Sequence, residues 1–175
     1  MASPHDQSQY QVRFDWGAAG IDAVATDVDV VVWVDLFDSE TPVLPSVPGV
    51  LVAGGFTNRT AVAEWVLARQ AEKGDRFTVA VVASGAVRGG GSTRFAVEHL
   101  LAAGAIVDAL AELGIDYSSP EAAAAAAAFS GLRNAIAHLV SASGSGRELA
   151  AAGRADEVAA ASRLDSSLEV RVLQE

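Results

Sequence analysis

The chain has 175 residues, a formal net charge of −10, and 51% hydrophobic against 19% charged residues. A chain of this length buries roughly 70% of its unfolded surface and builds one compact core. The acidic balance repels phosphate backbones and argues against nucleic-acid partners, and the absence of cysteine excludes disulfides, a thiol nucleophile and a Cys-based zinc site.

Residues 1–9 are polar and are expected to form a flexible N-terminus, leaving residues 10–175 as a single α/β domain. "YQVRFDW" (10–16) alternates as a strand does, and "GAAG" is expected to break it. "DVVVWVDLF" (29–37) is a near-continuous β-branched run, the pattern of a parallel strand covered on both faces. "GVLVAG" (49–54) and "RFTVAVVASG" (76–85) are two more strands, each stopped by glycine.

Helical patterns alternate with these. Residues 58–74 open with Asn58 as the expected cap and close at Gly74. Residues 92–114 place Val97, Leu100, Leu101, Gly104, Val107 and Leu110 along one stripe. Ser119, Pro120 and Glu121 have the order of a cap, a first helical position and a first turn. The alanine run after them gives a thin surface that another helix can approach closely. Ser145 and Glu148 have capping-box spacing, a last helix covers about 157–162, and "SLEVRVL" (167–173) ends the chain as a strand. Strands alternating with helices imply an α/β layered fold with a largely parallel sheet flanked by helices. The first residues lack the profile of a signal peptide and no apolar run reaches the roughly 20 residues that span a bilayer. The expectation is a cytoplasmic protein without a membrane partner.

Ligands of such sheets gather at the carboxyl ends of the strands. Asp35 ends the most buried strand, where a carboxylate suits Mg²⁺ or a base, or caps the next turn. "ASGAVRGGGSTR" (83–94) follows a strand and precedes a helix, so its amides, with Arg88 and Arg94, suit an anion. A surface loop explains it equally well, and it matches neither nucleotide-binding glycine pattern. Glu98 stands four residues after Arg94, the spacing of a surface ion pair, and His99 is a candidate acid, base or ligand. His5 and His138 show no metal-ligand spacing. No G-x-S-x-G elbow is present, and serine-hydrolase chemistry finds no support.

Taken together and in this order, "VRFDWG" (12–17), "DVVVWVD" (29–35), "VLPS" (43–46), "VAGGFTNRTAVAEWV" (52–66), "ASG…STRFAVEHLLAAGAIV" and "SPEAAAAAAAF…SGRELAAAGRADEV" resemble the 2-phosphosulfolactate phosphatase family. The resemblance implies an α/β fold and Mg²⁺-dependent hydrolysis of a small anionic phosphate ester. It makes Asp35 the acid at the end of the central strand, aligns Ser84 and Gly85 with a strand-end turn, and aligns Glu98 with the first acid of a Glu-Asp pair. On that reading Asp35 and Glu98 hold Mg²⁺, His99 orients or deprotonates water, and Ser84, Gly85, Arg88 and Arg94 bind substrate. The chain departs from the pattern where His99 replaces the pair's Asp and Glu157 replaces a second Asp. Val47-Pro48-Gly49 replaces an Asn-Gly stretch, and Phe37 leads almost directly to "VLPS", as in an internally shortened member. The alternative is a non-catalytic relative, a small-anion binder or an oligomeric scaffold. A shortened sheet exposes apolar edges, so a homodimer or larger assembly is expected.

Overall fold

The computed structural model describes residues 5–37, 46–88 and 91–175. Four apolar-rich segments form the parallel strands β1 (Val12–Trp16), β2 (Val30–Val34), β3 (Val50–Gly54) and β4 (Val79–Ala83). A short hairpin, β5 (Ala86–Val87) and β6 (Thr93–Arg94), stands apart, and β7 (Val172–Gln174) closes the main sheet. The sheet order is β1-β4-β2-β3-β7, with β7 antiparallel to β3. The layered α/β fold with a mainly parallel sheet is therefore as the sequence predicts.

The strands alternate their apolar residues between two covered faces. Val31, Leu51, Ala80 and Val82 meet Ile21 and Val24 of helix α1 (Gly17–Val24). On the opposite face Val30, Val32, Val52 and Val81 pack with Val62 and Val66 of α2 (Arg59–Lys73) and with Leu101 and Ile106 of α3 (Val97–Glu112). Helix α4 (Pro120–Leu132) lies on α3 and β1. Helices α5 (Ile136–Ala142), α6 (Gly144–Ala151) and α7 (Ala155–Ala161) follow, with α6 and α7 lining the cavities at the carboxyl ends of the strands.

Ser119 caps α4 through Ala122 N–H at 3.1 Å, with Pro120 at the first helical position. The alanine-rich surface lets α4 come so near α3 that a Cβ at Gly104 would collide with the Ala125 carbonyl. Under this interface Arg59, 4% exposed, pairs with Asp108 at 3.0 Å, Asp165 at 3.1 Å and Glu112 at 3.6 Å, and lies over the Phe129 ring.

Several local expectations differ from the structure. The "GAAG" stretch does end β1, at Trp16, and goes on to start α1, where its glycines allow close packing: a Cβ on Gly20 would lie 2.9 Å from the Asp15 Cβ. The helix expected from residue 92 starts at Val97, since Thr93 and Arg94 pair with Ala86 and Val87. Asn58 stands at the N-cap position of α2 as expected, but its side chain makes no cap hydrogen bond; its Oδ1 accepts from Gly55 N–H, and its amide donates to Ala53 and Glu169 carbonyls. Ser143, not Ser145, caps α6, accepting from Gly146 N–H at 3.1 Å. A 3₁₀ turn at Arg133–Ala135 divides the expected long helix into α4 and α5. Within the expected flexible N-terminus Gln7 is buried, its amide exchanging hydrogen bonds with the Phe14 backbone.

Candidate active site

Strands β2 and β4 run side by side with Val34 opposite Ala83. The next residues, Asp35 and Ser84, leave the sheet together, and Ser84 N–H donates to the Val34 carbonyl at 2.9 Å. Helix α3 points its first turn at this gap. His99 fills it: Nδ1 lies 3.0 Å from Ser84 Oγ, and Nε2 lies 3.6 Å from Asp35 Oδ1 and 3.4 Å from Leu36 N. Gly85 follows at φ +72, and a Cβ there would strike the Thr93 side chain and the Arg94 carbonyl, so glycine is required.

Burial pushes the His99 imidazole below its ordinary value of 6.5, against the raising influence of Asp35, Glu98 and the Gly85 backbone, with Arg94 adding to the lowering. The ring is therefore neutral near pH 7, the form that accepts a proton. Glu98 is not in the surface ion pair its spacing suggests. It is 1% exposed, and its Oε1 is buried without a hydrogen-bond partner.

Two cavities meet at Asp35, Phe37 and Arg154. One, of about 480 Å³, is walled by Asp35, Gly85, His99, Ser145, Glu148 and Arg154. The other, of about 450 Å³, lies over the β3–α2 turn, with Gly54, Gly55, Asn58 and Arg171 in its wall. Asp35, Ser84, Gly85 and His99 thus come together as a single constellation, with Glu98 buried behind it.

The two arginines singled out from sequence stand elsewhere. Arg88 is exposed on the β5–β6 hairpin, whose turn is closed by Arg88 N–H to the Ser92 carbonyl at 2.9 Å. Arg94 packs its guanidinium against Gly144 at the start of α6. Neither is in the wall of these two cavities, and Gly89 and Gly90 of the expected anion loop lie outside the described residues. The arginine that both cavities share is Arg154, also held by Glu157 through two hydrogen bonds at 2.8 and 2.7 Å. Sequence reasoning passed over it; its one signal was its place in the "GRADEV" string. The Gly54-Gly55 pair also went unnoticed, although it ends a parallel strand before a helix, the position where ligands gather.

Among the described residues no three His, Asp or Glu side chains cluster as a metal site. Mg²⁺ commonly takes only one or two carboxylates, completing its shell with water and substrate phosphate. Asp35 at the cavity wall is one such carboxylate; Glu98, with its orphaned buried oxygen, is in the wall of neither cavity.

Among the described residues no helix is long and apolar enough to cross a membrane. No curated protein matches the chain. The family model described as 2-phosphosulpholactate phosphatase matches residues 46–175. That span contains Ser84, Gly85, Glu98 and His99; Asp35 lies upstream, just past the end of β2, the strand between the matched strands β3 and β4. The chain belongs to the 2-phosphosulpholactate phosphatase family.

Proposed function

We infer that the protein is a cytoplasmic, Mg²⁺-dependent phosphatase acting on a small phosphate monoester of the 2-phosphosulfolactate type. The observation that carries this reading is the cavity at the ends of β2 and β4, where Asp35 and a neutral His99 share one wall. Asp35 and Glu98 would hold Mg²⁺, which when bound neutralises charge on phosphate oxygens. The remaining work falls to the chain itself. Arg154 at the junction of the two cavities offers a guanidinium to an anionic substrate. Gly85 offers backbone to the cavity wall, and His99 moves a proton at the reacting oxygen.

Phosphate release with and without Mg²⁺ tests the reading. Turnover that needs Mg²⁺ and disappears in Asp35→Asn supports it. Anion binding without turnover supports the second reading, a small-anion-binding or scaffold relative, which draws on the lack of a three-ligand cluster among the described residues. A homodimer or larger assembly belongs to the same proposal. β7 covers the β3 edge of the sheet, and exposed apolar side chains, among them Val87, Phe95 and Leu168, are what supports an assembly. A monomer by light scattering at micromolar concentration would remove it.

A further inference from the structure

Three side chains from three elements are linked at the strand ends. Ser84 Oγ lies 3.0 Å from His99 Nδ1, and His99 Nε2 lies 3.6 Å from Asp35 Oδ1. This is the connectivity of a serine nucleophile, its histidine base and an orienting carboxylate, an arrangement identified by geometry and roles, not by sequence position. No elbow motif is needed, since the strand end itself delivers the serine. The imidazole is used in the reverse sense to the serine-protease arrangement, with the hydroxyl at Nδ1 and the carboxylate at Nε2. Ser84 is half-buried and His99 is 3% exposed, so the hydroxyl already sits against the base where a water would need room.

We propose that Ser84 is the nucleophile of a two-step phosphoryl transfer and that His99 is its base. The proposal rests on the phosphatase reading for its electrophile, a phosphate monoester in the cavity walled by Asp35, Gly85 and His99; Ser84 is not itself in that wall and reaches it from between Gly85, its chain neighbour, and His99. In the first step Ser84 Oγ bonds to phosphorus while the ester P–O bond breaks, its electron pair going to the alcohol oxygen. The Ser84 proton passes to His99 Nδ1 and then to the departing alcohol. In the second step a water oxygen bonds to phosphorus, its proton goes to His99 Nδ1, and the Oγ–P bond breaks. Oγ recovers that proton, and inorganic phosphate leaves. The sum is ester plus water giving alcohol plus phosphate.

The arrangement requires the Nε2–H tautomer of His99. Asp35 favours it. Leu36 N–H, 3.4 Å from Nε2, favours the opposite tautomer, in which Ser84 Oγ–H turns to the Gly85 carbonyl at 3.3 Å. The Asp35 contact, at 3.6 Å, is itself longer than a hydrogen bond, so the charge of the carboxylate selects the Nε2–H form only as the contact tightens when substrate binds.

Two reagents test the proposal on the full chain. With p-nitrophenyl phosphate and Mg²⁺, acid quenching in the first turnovers followed by peptide mass spectrometry is expected to find a phosphoryl group on Ser84. A fluorophosphonate, which attacks an activated serine with neither substrate nor metal, is expected to modify the same residue. Both adducts vanish in Ser84→Ala, and their rates fall about a hundredfold in His99→Gln, with melting temperatures recorded for each variant. The wild-type adducts decide the matter without any variant. Ser84 unmodified by both reagents in the folded protein, or Ser84→Ala releasing phosphate at the wild-type rate, overturns the proposal. Phosphate release without either adduct leaves the phosphatase reading standing and removes the nucleophile; a fluorophosphonate adduct without phosphate release removes the phosphatase reading and, with it, the phosphoryl transfer, leaving only an activated serine.

Discussion

Gly104→Ala is the sharpest test of how α3 is held in place. The added methyl group would meet the carbonyl oxygen and carbon of Ala125 and press on the Phe129 Cβ. The obstacle is backbone, which cannot rotate aside, so the helices must separate. Overpacking costs about 1–3 kcal/mol, and a rigid obstacle belongs at the upper end. Alanine returns about 1 kcal/mol through its better helix propensity. The net is about 2 kcal/mol of destabilisation, or roughly 4–8 °C in Tm for a chain of this size. Gly131→Ala makes the same chemical change near the end of α4, where nothing lies within 4 Å of the new Cβ. It is expected to raise Tm by about 2–4 °C from propensity alone. Thermal unfolding followed by circular dichroism reads both. A Gly104→Ala protein that melts at or above wild type, or two shifts of the same sign, would refute the close-approach argument. Because His99 sits on the first turn of α3, Gly104→Ala is also expected to lower phosphatase turnover in protein that remains folded.

Arg59→Ala removes a buried cation from three carboxylates. Breaking a buried pair costs about 3–5 kcal/mol, but Asp108, Glu112 and Asp165 are 23%, 54% and 37% exposed and can hydrate. About 2 kcal/mol is expected, read as a lower urea midpoint with an unchanged slope. Ser119→Ala deletes the α4 cap and should cost about 1 kcal/mol by the same measurement. His99 gives a pH dependence. Asp35, Glu98, the Gly85 backbone and Arg94 surround it, and burial holds its folded value below 6.5. The unfolded chain therefore binds the proton first, so stability is present above about pH 6.5 and is lost as pH falls through the folded value. In the presence of EDTA, His99→Gln is expected to flatten this part of the Tm–pH curve.

The parallel sheet was legible because Val30–Val34 and Val79–Ala83 are apolar on both faces, a pattern that a half-exposed strand does not show. The rule that ligands gather at strand ends brought Asp35 and Ser84 forward, and the structure places them side by side. Their link through His99 was hidden, since it joins positions 15 and 64 residues apart, and periodicity carries no information about which first-turn side chain meets which strand. Glu98 shows the limit of local spacing. Four residues after Arg94 means a neighbour only when both stand on one helix, and Arg94 belongs to a hairpin. The glycines at 17 and 20 show one residue type with two uses, since they end β1 as expected and also serve close packing, which no pattern announces.

The tail of the chain has a double attachment. Asp165 and Ser167 N–H groups bond to the Phe56 and Thr57 carbonyls, the Glu169 carbonyl accepts from Asn58, and β7 completes the sheet edge beside β3. Ser167, Glu169 and Arg171 are at the same time part of the wall of one of the two cavities. Peeling this segment away would dismantle a binding wall and uncover a strand in one event. Any small molecule seated against that wall must therefore fasten the tail to the sheet, and slower amide exchange along β3 would report its arrival.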